Sequence, residues 1–198
     1  MKRCLTPVCL LFGITLAQPV AAQSLDQSRI GESAAQGASG RLSVNQAAGV
    51  GNGQVNLMAV AQGKASSASA QSNQTAQNPD TARAASSDIQ AGAFGGFHGA
   101  LALNQTAGVN NLQSNLLVIQ ASDGVATTDD ATLAQTVAIV AAPTEGAGSA
   151  PEVAREARID ANAFRGASGV LQVNQSAGVG NSATNAVVVK LPASAGGM

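Results

Sequence analysis

The chain has 198 residues with no Trp, no Tyr and an aromatic content of 2%, so it lacks the large side chains around which most globular cores are built. Its formal net charge is −1, and with neither a basic patch nor an aromatic platform for bases it gives nucleic-acid binding no support. Ala, Gly, Ser, Asn and Gln dominate, which leaves two outcomes: disorder, or a narrow core of small residues carrying amide ladders.

Residues 1–22 read as a secretory signal peptide. Lys2 and Arg3 are a short basic start, Cys4 to Ala17 is uncharged and apolar, Pro19 breaks the run, and Val20-Ala21-Ala22 supplies small residues for cleavage before Gln23. The apolar run is shorter than the ~20 residues that span a bilayer. Both cysteines, Cys4 and Cys9, fall inside it, so the mature chain has no thiol for a disulfide or a metal. Without Lys2 and Arg3 it carries 8 basic and 11 acidic residues, a net of −3. Residues 23–29 are a short lead.

An internal repeat decides the expected fold. Leu42-Ser-Val-Asn-Gln-Ala-Ala-Gly-Val-Gly-Asn52 returns as Leu101-Ala-Leu-Asn-Gln-Thr-Ala-Gly-Val-Asn-Asn111 and as Leu171-Gln-Val-Asn-Gln-Ser-Ala-Gly-Val-Gly-Asn181. The match continues through Asn56, Asn115 and Asn185, and backwards through Gly40, Gly99 and Gly169 to Ile30, Ile89 and Ile159. Phe94 and Phe164 align, whereas the first unit has Ala35. The units therefore span residues 30–60, 89–119 and 159–189. Within the first, Leu42, Val44 and Gln46 share one face of a strand, and Ser43, Asn45 and Ala47 share the other. Gly49 to Gly53 supplies a turn, and a second strand runs from Gln54 to Val60. An upstream strand near Ile30, Ile89 and Ile159 is the least marked. Apolar spacing of two, with Gly and Asn placed where a helix tolerates them least, argues against helices.

The expected architecture is all-β: a repeat β-solenoid or amyloid-like stack of three imperfect units joined by flexible linkers. With equivalent strands about 4.7–4.9 Å apart, identical amides can hydrogen-bond along the stack. Asn45, Asn104 and Asn174 would form one column, Gln46, Gln105 and Gln175 a second, and Asn56, Asn115 and Asn185 a third. Asn52, Asn111 and Asn181 sit at the turn with Gly49, Gly108 and Gly178 and are expected to satisfy local turn groups. Each unit is near neutral, so like charges need not meet in register.

The linkers differ in kind. Residues 61–88, rich in Ala, Ser, Gln and Asn with Pro79 inside, show no period-two pattern and read as flexible. Residues 120–158 are acidic, and Leu133 to Val140 reads as a short extra strand. Residues 190–198 form a C-terminal tail in which Lys190-Leu191-Pro192 could blunt one end of a stack.

The pattern Ile-x₄-Phe-x₄-Gly-x-Leu-x-Val-Asn-x-x-Ala-Gly-x-x-Asn-x-Gln-x-Asn resembles the repeat of the Fap-type functional amyloid fimbriae of Gram-negative bacteria. Its most specific part, Ala48-Gly49-x-x-Asn52-x-Gln54-x-Asn56, is repeated from Ala107 to Asn115. The resemblance covers the three units, about half the mature chain, and the layout of signal, three repeats and two linkers. Curlin repeats are similar in composition but shorter. Three features depart from the family pattern. Val50, Val109 and Val179 stand where the family often has an acidic residue. Ala183 replaces the glutamine of Gln54 and Gln113, and no Cys-x-x-Cys lies near the C-terminus.

The resemblance implies a secreted structural subunit, major, minor or nucleating, that passes the periplasm and an outer-membrane export pore to the cell surface and matrix. There it would self-associate into fibrils with other fimbrial subunits and support biofilm and adhesion. The alternative reading is a monomeric β-solenoid adhesin or surface-binding module, distinguished by capped ends. No cofactor, metal or enzymatic activity is expected. His98, the only histidine, lies among glycines as a turn or surface residue. Asp129 and Asp130 form a solvated charge pair with at most a weak calcium contact, and Gly49-x-Gly51 lacks the Lys-Ser/Thr of a phosphate loop.

Overall fold

A computed structural model describes residues 25–63, 68–77, 83–122, 133–140 and 153–192. The predicted signal peptide and Asp129 and Asp130 lie outside the described residues. The chain is all-β, and its strands in order are β1 (Leu25–Ile30), β2 (Ser39–Val50), β3 (Gly53–Gly63), β4 (Ala70–Gln77), β5 (Ala84–Ile89), β6 (His98–Val109), β7 (Leu112–Ser122), β8 (Leu133–Val140), β9 (Arg155–Ile159), β10 (Ser168–Val179) and β11 (Ser182–Pro192).

Consecutive strands do not pair with each other. The sheets have the orders β1-β5-β9, β2-β6-β10, β3-β7-β11 and β4-β8, and every pairing is parallel. Each repeat strand is thus bonded to its counterpart in another unit, and β4 of the first linker to β8 of the second, while β2 turns through Gly51 and Asn52 into β3 and faces it through side chains. The register puts equivalent residues side by side: Val44 beside Leu103 beside Val173, and Ile30 beside Ile89 beside Ile159. The second unit supplies the middle strand of all three larger sheets.

Period-two alternation gives the β2-β6-β10 sheet two different faces. Leu42, Leu101, Val44, Leu103 and Val173 pack on one side with Ile30, Ile89, Phe94 and Phe97. The other face meets the β3-β7-β11 sheet. Being covered on both sides, β6 is buried from Leu103 to Val109. The rings of Phe94 and Phe164 stack with centroids 5.3 Å apart and planes 6° from parallel, a geometry that follows from their equivalent positions in adjacent units. Both residues, like Ala35, sit in the left-handed region, at φ 57°, 59° and 52°. Such a conformation is uncommon for a side chain of that size. It is held by bonds between units, Phe94 N–H to Ala34 O (2.7 Å) and Phe164 N–H to Ala93 O (2.8 Å).

Two sets of glycines permit the close approach of neighbouring units. A Cβ on Gly99 or Gly169 would overlap the carbonyl of Gly40 or Gly99, and one on Gly49 or Gly108 would overlap that of Gly108 or Gly178.

The first linker departs from the flexible segment expected over 61–88. Its first residues extend β3 to Gly63, and Ala70–Gln77 forms β4. Ala70, Ser72 and Ala76 are buried between exposed Gln71, Asn73 and Thr75. Ala70 closes a small core with Leu116 and Val118, flanked by Leu57 and Ala59. The alternation is present but is one of size and hydrogen bonding, with small Ala and Ser inside, so an apolar/polar reading passes over it. The strand expected at Leu133–Val140 is found as β8, and it pairs in register with β4 (Ala70 with Leu133, Gln77 with Val140). The upstream strands are equally definite. β1, β5 and β9 end on Ile30, Ile89 and Ile159, so the ordered part of each unit begins before that isoleucine and not at it.

Candidate assembly site: the amide columns

Asn104 has no exposed surface and uses its whole side chain. Its Nδ2 donates to Asn45 Oδ1 (3.1 Å), Val55 O (2.9 Å) and Asn56 Oδ1 (3.0 Å). Its Oδ1 accepts from Asn115 Nδ2 (2.9 Å) and Asn174 Nδ2 (3.0 Å). The column of Asn45, Asn104 and Asn174 therefore lies against that of Asn56, Asn115 and Asn185, and each rung is bonded both along and across. Asn56 donates to Asn45 Oδ1 (2.8 Å), Asn174 to Asn115 Oδ1 (3.1 Å) and Asn185 to Asn174 Oδ1 (2.9 Å). Along the second column, Asn115 donates to Asn56 (2.9 Å) and Asn185 to Asn115 (3.0 Å). These cross bonds depend on how two sheets pack, which spacing along one strand does not encode.

The glutamines face the opposite way, toward β1, β5 and β9. Gln105 Nε2 donates to Gln46 Oε1 and Gln175 Nε2 to Gln105 Oε1, each at 3.0 Å. The same amides reach carbonyls of the flanking sheet: Gln46 to Arg29 O (2.7 Å), Gln105 to Asp88 O (3.0 Å) and Gln175 to Arg158 O (2.8 Å). This column fastens two sheets while joining three units.

The turn asparagines do more than the local work expected of them. Asn52 Nδ2 donates to Ala48 O within its own turn (3.0 Å) and to Gly108 O of the next unit (2.9 Å). Asn111 donates to Asn52 Oδ1 (3.0 Å) and Asn181 to Asn111 Oδ1 (2.8 Å). A fourth ladder thus runs along the turns. Gly49, Gly108 and Gly178 beside it have φ of 102°, 111° and 135°, the region reserved for glycine.

Other participants were absent from the predicted columns. Gln54 donates to Gln113 Oε1 (3.0 Å) and to Gln46 O (2.9 Å), and Gln113 donates to Gln105 O (3.0 Å). In the third unit Ala183 ends this line, and Gln113 Nε2 donates instead to Ser176 Oγ (3.0 Å). From the first linker, Ser72 Oγ bonds Ser114 Oγ (3.1 Å), and Ser114 Oγ donates to Gln74 Oε1 (3.0 Å). Gln54 and Gln113 were visible as repeated residues, whereas Ser72 and Gln74 belong to no repeat.

Charges in register alternate. Arg29 lies beside Asp88, 3.8 Å apart, and Asp88 beside Arg158. The buried Asp26 is clamped by both ends of the Arg83 guanidinium, with Nε 2.7 Å from Oδ2. His98 Nδ1 meets Ser168 Oγ at 2.7 Å on an exposed edge. Among the described residues no three His, Cys, Asp or Glu side chains come together as a metal site.

The chain is thus of the all-β class, with strands that pair in parallel and in register, like residue against like. The family model for the functional amyloid protein FapB/FapC family matches residues 14–192, and the chain belongs to that family. The family is one of structural amyloid proteins. No solved structure matches the chain.

Proposed function

We propose that this protein is a secreted structural subunit of an extracellular functional amyloid fimbria that supports biofilm and surface adhesion, the three units acting as successive layers of a β-solenoid that further copies extend. One observation carries the reading. The middle unit is bonded on both sides by amide columns, whereas the first and third units are edge strands in each of the larger sheets. Edge strands present unpaired N–H and C=O groups, a template for another chain, and a further copy offers the same residues at the same spacing. Membership of a functional amyloid family agrees with this. Delivery by residues 1–22 through the periplasm and an outer-membrane pore, and company with other subunits, complete the proposal. Major, minor and nucleating roles are all compatible with it.

The test is seeded growth of the mature chain from Gln23 at neutral pH, followed by thioflavin fluorescence, sedimentation and electron microscopy. The expected outcome is seed-dependent fibres with a cross-β reflection near 4.7–4.8 Å. Protein that stays folded and monomeric for days with seeds present overturns the fibre reading and leaves a monomeric adhesin.

A further inference from the structure

Resting on the fibre reading above, we infer that copies join head to tail: the third unit of one copy (β9, β10 and β11) seats the first unit of the next (β1, β2 and β3), in the register the chain uses internally. Three independent features point the same way along the stack, and a fourth does not forbid it.

The first is the direction of the amides. In four columns the third unit donates to the second and the second to the first: Asn174 to Asn104 to Asn45, Gln175 to Gln105 to Gln46, Asn185 to Asn115 to Asn56, and Asn181 to Asn111 to Asn52. The third unit's outer surface therefore offers amide oxygens, and the first unit's offers the second N–H of Asn45 and of Gln46, each of which donates one bond within the chain, while Asn52 and Asn56 already donate to the second unit's carbonyls. The Gln54–Gln113 bond runs oppositely but ends at Ala183, so no amide there opposes the others at the joint.

The second is the space left by glycine. The missing Cβ atoms of Gly49 and Gly108 make room for carbonyls of the following unit, and those of Gly99 and Gly169 for carbonyls of the preceding one. At the two ends the corresponding carbonyls are lacking within the chain. A Cβ on Gly40 would meet nothing within 4 Å, and one on Gly178 would meet the Arg155 side chain at 3.2 Å and no backbone. Head-to-tail joining puts Gly40 of one copy beside Gly169 of another and Gly178 beside Gly49.

The third is shape. Phe164 lies on Phe94, while the first unit has Ala at the equivalent position 35. A joint between third and first units sets a ring against a small residue. Two third units would set ring toward ring, and two first units would leave a gap.

The fourth is charge. Continuing the register places Arg155 of one copy beside Asp26 of the next on the inward side, where Arg83 already pairs that carboxylate, and Arg158 beside Arg29 on the outward, solvated side, a repulsion that salt screens, so charge does not forbid the joint. A contact of like ends would reverse strand direction and set acceptors on acceptors or donors on donors. It would also close as a dimer, whereas a head-to-tail contact that does not close gives a filament.

Because the mature chain has no cysteine, disulfides can read the joint directly. Residues in register lie about 4.7–4.9 Å apart, within the Cα separation a disulfide accepts, roughly 4.4–6.8 Å. Inside one copy positions 29 and 158 are separated by the Asp88 strand and cannot reach each other. Fibres of Arg29→Cys/Arg158→Cys, oxidised and then denatured without reductant, should give a ladder of covalent oligomers. Mixed fibres of the two single variants should give only the mixed dimer. Gln27→Cys/Glu156→Cys, also in register and exposed on both sides, provides a second pair should the first fail to fold. Homodimers from either single variant, or fibres with no cross-link from either pair, overturn the joint while leaving the fibre reading intact. Wild-type protein that forms no fibres overturns that reading and the joint with it.

Discussion

Asn45 and Asn104 are the same residue of the same motif, yet they stand in different surroundings. Asn104 is wholly buried with its amide bonded on every side, whereas Asn45 is exposed, and the bond it donates, to Gln54 O, is long at 3.5 Å. The contrast follows the sheet order, in which the second unit supplies the central strands and the first an edge, although on the other edge Asn174 is buried as well. Position in the sheets, and not residue type alone, therefore sets what a repeated residue contributes. Burial makes an unmade hydrogen bond cost its full desolvation, about 1–3 kcal/mol, while an exposed amide returns to water at little cost.

The largest expected difference is between buried and exposed asparagine. Asn104→Asp removes the donor to Val55 O, Asn45 and Asn56 and buries a charge without a cation, so it should destabilise the folded monomer by about 3–5 kcal/mol. Asn45→Asp should cost about 1 kcal/mol or less. Denaturant melts of freshly prepared monomer measure both. The Asn104→Asp loss should shrink at acid pH, since a carboxyl disfavoured as an anion in the folded state is raised in pKa, and its protonated form donates again. Equal losses at the two positions would break the comparison.

A smaller difference is expected between glycines. Gly99→Ala must displace the Gly40 carbonyl in addition to straining a φ of 137°, and should lose about 3 kcal/mol or more. Gly40→Ala strains a φ of 94° in open space and should lose about 1 kcal/mol. Circular dichroism melts of the two variants side by side test this, and Gly40→Ala should retain its β signal at room temperature.

The smallest effect has the opposite sign. The hydroxyl of Ser87 is buried in the middle unit with no hydrogen-bond partner among the described residues, and its neighbour in the third unit is Ala157. Ser87→Ala should stabilise the fold by about 0.5–1 kcal/mol, read from the same melts, because it removes an unsatisfied group and leaves the shape unchanged.

How much of this was legible in the sequence varies by region. The strand register follows from identity at fixed offsets, since Leu42, Asn45, Gly49 and Asn56 recur together and only one alignment satisfies all of them. That Gln46 and Ser43 lie on opposite faces of β2 follows from period two. β1, β5 and β9 were faint because LDQSRI, AASSDI and REARI share little beyond the final isoleucine. β4 was missed because its inner face, Ala70, Ser72, Gln74 and Ala76, holds no large apolar side chain to mark it. The bonds between the Asn45 and Asn56 columns were out of reach for another reason. They belong to the packing of one sheet on another, and no spacing along the chain reports which carbonyl lies opposite.

The pairing scheme has a kinetic consequence. No strand pairs with its neighbour in sequence; Ile30 must find Ile89, and Ile89 must find Ile159. Among the described strands there is no hairpin to form early, so every ladder they make begins with closure of a long loop, whose entropy must be lost before any bond offsets it. Chains dominated by such distant contacts fold slowly. A chain arriving at an existing edge faces a different search, because the first strand can dock on a surface already in place and no loop need close beforehand. Under the fibre reading proposed above, the topology that slows the isolated chain favours growth on a template over spontaneous folding.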